Sequence, residues 1–250
     1  AAAGLRRRPL APARRRRLRS TTMDRSAFSF AFQPIVHAPS GRVWSHEALI
    51  RGPAGEPAGQ VLSGLDEPAL HRLDATGRGR AIDLAVRLGL QWRFNLNFLP
   101  RSLGEDDGML EAMFLAAQRH GLPLERLVLE VTESEAIGDL AGFAQRMRRV
   151  RALGLQLAID DFGAGHCGLN LLAEFQPDLL KLDMALLRGI ERSGPRQAIV
   201  RAVLGACLDL GIEAVAEGVE TPEEYRWLAG EGVELFQGYL FGRTGPAELL

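Results

Sequence analysis

Eight apolar runs of strand length recur along the chain from Phe28 onward, and most are separated by stretches with helical spacing of apolar residues. This alternation is typical of an α/β protein in which helices wrap a largely parallel sheet. The predicted strands cover residues 28–36, 43–50, 93–98, 127–131, 155–159, 179–182, 213–216 and 235–236. The predicted helices lie near residues 69–88, 109–120, 140–152, 196–210 and 222–229. Eight strands in this order predict a closed (β/α)8 barrel of the TIM-like type.

The first two strands depart from the ordinary barrel pattern. Only the short turn around residues 38–42 separates them, and this turn is too short for a crossover helix. We therefore expect an antiparallel first strand in an otherwise parallel barrel. A doubly wound open sheet is the alternative, but no G-x-G-x-x-G follows the first strand and no phosphate loop is present.

The charge of the chain is divided unevenly between a short leader and the rest. Residues 1–22 contain eight of the 30 basic residues and no acid, which leaves 22 basic against 31 acidic residues from Met23 onward. So acidic a body is a poor general binder of DNA. We interpret residues 1–22 as an Arg-rich disordered leader or linker, or as sequence upstream of a start at Met23, and residues 23–250 as one domain. A basic tether and a targeting arm are the alternatives for the leader.

Hydrophobic residues make up 46% of the chain, enough to build a sizeable core for one large domain. No apolar stretch is long enough for a membrane span. The two cysteines, Cys167 and Cys207, lack metal-ligand spacing and suggest neither a zinc site nor a disulfide framework. We therefore expect a cytoplasmic protein.

Acidic and amide residues stand at the C-terminal ends of several predicted strands. Each one alone is usually a solvated strand end or a helix cap. Five strand ends with the same pattern point to a shared site, because a barrel brings these ends together on one face. A ring of carboxylates would repel itself, so a cation is needed to hold it together. Oxygen ligands favour Mg²⁺ or Mn²⁺ as that cation. The residues are Glu47, Asn97, Glu130, Glu133, Asp160, Asp161 and Glu217.

Asp160 and Asp161 are adjacent, so on a regular strand their side chains would point in opposite directions. Placing both in one site requires the strand to end there, and Gly163 and Gly165 can supply the turn. Paired acids of this kind can bridge two metal ions, as in phosphodiester hydrolysis.

Lysine occurs once in the chain, at Lys181, beside 29 arginines. It ends an apolar strand from which its stem could extend toward the acidic ring. Arginine would be a poor replacement if the group must hold a water or shuttle a proton. The alternative is a solitary surface lysine, but its setting favours a functional role.

Together these segments resemble the EAL-domain cyclic di-GMP phosphodiesterases over roughly residues 28–241. Several motifs in the family's order carry the resemblance, and their combination is far more specific than any one motif. They are QPIV at 33–36, EALIR at 47–51, EVTE at 130–133, DDFGAG at 160–165, KLD at 181–183, AEGVET at 216–221 and QGYLF at 237–241.

The resemblance implies a role for each matching residue. It implies two divalent cations held by Glu47, Asn97, Glu130, Asp160, Asp161 and Glu217, with Asp160 as the bridge. Lys181 would contact the attacking water, so Lys181, Asp161 and Glu217 are the predicted catalytic residues. Gln33, Arg51 and Gln237 would hold the dinucleotide. Glu133 would anchor the DDFGAG loop, which borders the family's dimer interface and so implies a homodimer.

Three features depart from the family pattern. The choice of Asn97 over Asn95 depends on the position of Pro100. His166 and Cys167 stand where Tyr and Ser are more usual, which bears on regulation. The chain also stops soon after QGYLF, so we expect a short or missing final helix.

The resemblance predicts a hydrolase that converts cyclic di-GMP to linear pGpG. The alternative is a catalytically weak effector domain that binds cyclic di-GMP and signals through a protein partner. A purely structural role would leave the acidic ring unexplained. Besides cyclic di-GMP and a second copy of the chain, we expect a regulatory protein or a fused sensor domain as a partner.

Overall fold

The strands form a closed barrel, β1 to β8 in sequence order, in a computed structural model that describes residues 28–90, 93–99, 108–132, 139–164 and 169–243. The predicted leader 1–22 lies outside the described residues, as do Glu133, Gly165, His166 and Cys167. The strands are β1 Ser29–His37, β2 Arg42–Arg51, β3 Arg93–Asn97, β4 Leu127–Thr132, β5 Gln156–Phe162, β6 Leu179–Leu182, β7 Glu213–Ala216 and β8 Leu235–Phe236.

The predicted antiparallel start is confirmed. β1 pairs antiparallel with β2 and closes the barrel antiparallel against β8, while every other neighbouring pair is parallel. Gly41 turns the chain between β1 and β2 with φ +65°, a backbone conformation that favours glycine. The open-sheet alternative is therefore wrong.

Eight α-helices lie in the described part of the chain. They are α1 Ala58–Leu62, α2 Glu67–Arg87, α3 Gly108–Arg119, α4 Leu140–Ala152, α5 Leu169–Glu174, α6 Met184–Leu187, α7 Gly194–Leu210 and α8 Pro222–Gly230. The five long ones match the predicted helices within a few residues. The described helices are all too short or too polar to cross a bilayer.

Two hydrophobic layers fill the molecule. The larger lies between strands and helices and includes Phe32, Phe94, Phe143 and Leu180. The smaller fills the lower barrel interior with one fully buried side chain from each of six strands. These residues are Ile35, Val128, Ala158, Leu179, Val215 and Leu235. This interior layer sets the height at which the polar residues above it must lie.

Candidate metal centre

We call the six apolar residues of the lower barrel interior the plug. A polar layer lies directly above the plug, because side chains on one face of a strand repeat every two residues. Each plug residue has a polar neighbour two positions toward the open end of the barrel, on the same inward face. The pairs are Ile35 with Gln33, Val128 with Glu130, Ala158 with Asp160, Leu179 with Lys181, Val215 with Glu217 and Leu235 with Gln237. The strand pattern alone therefore brings distant parts of the chain to one level.

Lys181 lies at the centre of this layer and is only 1% exposed. Its Nζ is 2.6 Å from Glu217 Oε1, 2.7 Å from Glu130 Oε1, 3.0 Å from Asp160 Oδ1 and 3.3 Å from Glu47 Oε2. One ammonium thus faces carboxylates from four other strands or strand ends. This position agrees with a stem that crosses the core rather than a surface lysine.

The crowding of acids alters the proton affinities in the cluster. Burial lowers the pKa of Lys181, but the surrounding carboxylates outweigh burial and hold that pKa well above its usual value. Burial raises the pKa of Glu130 to about 8, and Glu47 and Asp160 add to the effect against the opposing charge of Lys181. Burial also raises the pKa of Glu217 well above its usual value. The chain therefore gathers more negative charge here than its single lysine offsets.

Asp160 and Asp161 reach the same site through a local irregularity of β5. Among the residues that the structure describes, Asp161 is the only non-glycine residue with a left-handed backbone, with φ +56°. The pairing of β5 with β6 shifts between Ile159 and Phe162, which marks a bulge across the two acids. The prediction that the strand ends at the acids is therefore wrong, because the bulge reorients them while β5 continues to Phe162.

The acids form two groups whose oxygens are close enough to ligate one cation each. Glu47, Glu130 and Asp160 make the first, and Asp160, Asp161 and Glu217 make the second, with the oxygens within 4.8 Å of one another in each group. Asp160 belongs to both. Glu130 Oε2 is buried without a hydrogen-bond partner in the described structure. Hard oxygen ligands with excess negative charge fit divalent cations such as Mg²⁺ or Mn²⁺.

Two glutamines lie beside the first group. Gln237 donates from Nε2 to Glu47 Oε2 at 2.6 Å and to Gln33 Oε1 at 3.3 Å. Gln33 in turn donates to the Gly242 carbonyl at 3.4 Å. Arg51 ends β2 and donates to the Ile50 carbonyl at 2.9 Å, and it does not line the cavity that holds the acids.

The two asparagines of β3 lie at different depths. Asn95 is fully buried, donates to Glu130 Oε1 at 2.8 Å and accepts a hydrogen bond from Ser45. Asn97 lies opposite Glu130 at the end of the strand and lines a cavity together with Glu47 and Asp160. Its position at the rim is compatible with a ligand role, whereas Asn95 supports the cluster from below.

The sequence analysis missed three residues of the site. Asp183, Glu220 and Tyr239 line a cavity of about 390 Å³ together with Lys181, both glutamines and every acid of the two groups except Glu130. The pKa of Asp161 is raised by burial first and then by the charges of Asp160 and Asp183. The KLD motif contains Asp183 and could have indicated it. Glu133, the predicted loop anchor, lies outside the described residues.

Comparison with known proteins places this geometry in a family. A family model described as the EAL domain matches residues 15–244. The antirepressor BluF of Escherichia coli, named as blue light- and temperature-regulated, is 35% identical over 86% of this chain and 54% of its own length. The probable cyclic di-GMP phosphodiesterase PdeN of Escherichia coli is 31% identical over 91% of this chain and 45% of its own length. The chain thus spans about half the length of these relatives.

Solved structures resemble the whole barrel. A standalone EAL protein from Vibrio cholerae, bound to c-di-GMP, matches with a TM-score of 0.84 and 40% identity, covering 88% of this chain and 93% of that chain. BlrP1 of Klebsiella pneumoniae, in a manganese and cyclic di-GMP complex, matches with a TM-score of 0.81 and 42% identity. That match covers 86% of this chain and 55% of that chain.

Proposed function

Because this chain belongs to the EAL domain family, we propose that it hydrolyses one phosphodiester bond of cyclic di-GMP and releases linear pGpG. One observation carries the proposal: two sets of three acids, which share Asp160, surround Lys181 at the open end of the barrel. Relatives named as cyclic di-GMP phosphodiesterases support the substrate.

Two divalent cations, Mg²⁺ or Mn²⁺, fit the charge of the site. Glu47, Glu130 and Asp160 would hold one ion with Asn97, and Asp160, Asp161 and Glu217 would hold the other. Bound metal ions supply activation of a water and neutralisation of charge that develops on the phosphate. The single ammonium offsets one of the five carboxylates, and two divalent ions would offset the other four. A neutral site of this kind can accept an anionic phosphodiester.

Lys181 has a separate role in the proposal. Its compact ammonium has three donors, and it lies among the acids at the level of both groups. It would donate a hydrogen bond to the attacking water and keep that water in line with the phosphorus. The water oxygen then bonds to phosphorus as the ester P–O bond breaks, and the proton that the water loses is passed to the leaving ribose oxygen.

The walls of the cavity suggest how the dinucleotide is held. Gln33 and Gln237 present amide groups beside the acids, and Arg51 can supply a cation after a change of rotamer. Glu133 is proposed to anchor the loop after β5. That loop would also contribute to a homodimer, and a partner protein or fused sensor domain would regulate the site.

The second candidate is an effector that binds cyclic di-GMP without efficient turnover. The 35% identical relative BluF is named an antirepressor, which favours this class. The complete set of acids and the lysine favour the hydrolase. Both candidates predict nucleotide binding, so product formation separates them.

The test is incubation of the purified chain with cyclic di-GMP and Mn²⁺ or Mg²⁺, followed by mass detection of pGpG. We expect product that disappears with EDTA, and inhibition by Ca²⁺ because its looser coordination suits two-metal chemistry badly. Lys181→Ala should lose turnover while it still binds nucleotide. Glu47→Ala should bind metal more weakly as well. Nucleotide binding without product in the wild-type protein would establish the effector instead.

A further inference from the structure

A buried ion pair on α2 lies next to the end of the strand that carries Asn97. Asp74 and Arg78 are one helical turn apart, and Arg78 Nη1 is 2.6 Å from Asp74 Oδ1. Their exposures are only 8% and 3%. Burying two charges costs free energy that their attraction offsets only partly, so such a pair is weak evidence of a stabilising role. Its contacts indicate another use.

The Arg78 guanidinium reaches both ends of the connection from β3 to α3. Nη1 donates to the Asn97 carbonyl at 3.4 Å, and Nη2 donates to the Met109 carbonyl at 2.7 Å. The guanidinium also lies over the Phe98 ring, 5.0 Å from its centroid. One planar group with several donors thus holds the last residue of β3, the residue after it and the first turn of α3.

A glycine lets α2 approach α3 closely enough for this contact. A Cβ on Gly79 would lie 2.7 Å from the Ala112 carbonyl oxygen, a distance that real Cβ atoms do not adopt. The close approach explains why a helix-disfavouring residue follows Arg78. It also fixes the reach of Arg78 to Met109.

The pair also faces the metal centre across a shared space. Asp74 and Arg78 line a cavity of about 410 Å³, and the same cavity is lined by Glu47, Asn97 and Asp160. The remaining wall is mostly apolar, and most of its residues belong to β2, α1, α2 and the end of β3. No part of the hydrolytic scheme above uses Asp74 or Arg78.

We propose that Asp74 and Arg78 are positioning residues that fix the end of β3 so that the Asn97 amide faces the cation held by Glu47, Glu130 and Asp160. The inference rests on the proposed function. Arg78 contacts the Asn97 carbonyl, and the ion pair with Asp74 holds Arg78 in the rotamer that makes this contact. Mutating a residue that orients a metal ligand typically weakens metal binding by roughly 10- to 100-fold.

The test is Mn²⁺ binding to the full chain, measured by calorimetry and by the electron paramagnetic resonance signal of free Mn²⁺. Arg78→Lys keeps the positive charge but loses the planar guanidinium that donates to two carbonyls at once. We therefore expect at least one Mn²⁺ to bind about 10-fold more weakly. Asp74→Asn should weaken the same ion to a smaller degree. Saturating Mn²⁺ should restore kcat in both variants.

The matched control is Arg80→Met. Arg80 is exposed on the same helix, donates to the Phe28 carbonyl at 2.8 Å and lies 3.8 Å over the Phe28 ring, so it makes the same kinds of contact. Neither Arg80 nor Phe28 lines the two cavities that the acids line. We expect wild-type Mn²⁺ affinity for this variant. Far-ultraviolet circular dichroism and thermal melts confirm that each variant folds.

A double-mutant cycle identifies the route of the effect. If Arg78 acts through Asn97, Arg78→Lys should weaken Mn²⁺ binding no further in an Asn97→Ala background. Wild-type affinity in Arg78→Lys, or an equal loss with and without Asn97, would overturn the positioning role. Wild-type protein that binds Mn²⁺ with this coupling but makes no pGpG would instead overturn the proposed function alone.

Discussion

At the residue scale, the electrostatics of the site depend on Lys181. It is the counter-charge for carboxylates on β2, β4, β5 and the end of β7, and it is almost completely buried. Buried charges tolerate the loss of a partner badly, because the remaining charge has neither water nor an ion to stabilise it. The lysine therefore has structural as well as chemical importance.

Lys181→Met should destabilise the protein by about 3 kcal/mol in EDTA, because it leaves the acids without a counter-ion. Mn²⁺ should recover most of this loss by replacing the missing positive charge. Urea denaturation with and without Mn²⁺ measures both effects. The control Arg201→Met breaks the exposed pair with Glu231 and should destabilise the protein much less, because solvent screens that pair. Equal losses in the two variants would contradict the burial argument.

Asp161 gives a second test at this scale, because its left-handed backbone is favourable for glycine, tolerated by Asp and unfavourable for alanine. Asp161→Gly and Asp161→Ala both remove the carboxylate, so they differ in backbone preference alone. We expect the glycine variant to be about 1 kcal/mol more stable by urea denaturation in EDTA. An alanine variant of equal or greater stability would show that the bulge relaxes.

At the element scale, α8 begins with a network that ties it to a neighbouring turn. Thr221 accepts from the Glu224 amide, and Glu224 accepts from the amides of Thr221 and Glu220. The same carboxylate accepts from the Gly189 amide at 3.0 Å. Since α8 follows Glu217 closely in the chain, this reciprocal cap fixes the segment that leaves the candidate metal centre.

Glu224 makes the stability of the fold depend on pH. Burial alone would raise its pKa, but three backbone amides and Arg188 outweigh burial and lower the pKa below 4.5. Its stabilisation is therefore present above pH 4.5 and is lost as pH falls through the folded-state pKa. The stability difference between wild type and Glu224→Gln should be largest at pH 7 and shrink below pH 4.5 in urea titrations.

Glu223→Gln is the matched control, because Glu223 is an exposed residue in the same first turn. It should leave the pH dependence of stability unchanged. A difference between wild type and Glu224→Gln that stays constant from pH 7 to pH 3 would contradict the role given to the Glu224 charge.

The long elements were predictable because their periodicity extends over many residues. The strand pattern also placed Glu47, Glu130, Asp160, Glu217 and Lys181 at one end of the barrel, since carboxyl ends of barrel strands share a face. The short helices α1, α5 and α6 were missed, because four to six residues do not establish a helical period.

Other features depend on contacts that no local pattern encodes. The bulge at Asp160 and Asp161 is visible only in the pairing of β5 with β6. The hydrogen bonds from Ser45 to Asn95 and from Asn95 to Glu130 join three strands. Asp74 and Arg78 lie on a helix, so a search of strand ends could not find them.

At the scale of the whole molecule, barrel closure brings the polar residues of the site together. The six plug residues fill the lower interior, and the next inward position on each strand or at its end is polar. Because the barrel is closed, these groups can neither separate nor reach bulk water easily. The closed barrel thus holds acids close together although their charges repel one another.

The most direct test of the central claim is the number of Mn²⁺ ions bound per chain, measured by calorimetry. The wild-type protein should bind two. Glu217→Ala should bind one, because Glu47, Glu130 and Asp160 remain, whereas Asp160→Ala should lose high-affinity binding at both positions. Two tightly bound ions in Asp160→Ala, or none in the wild type, would contradict a paired metal centre that shares Asp160.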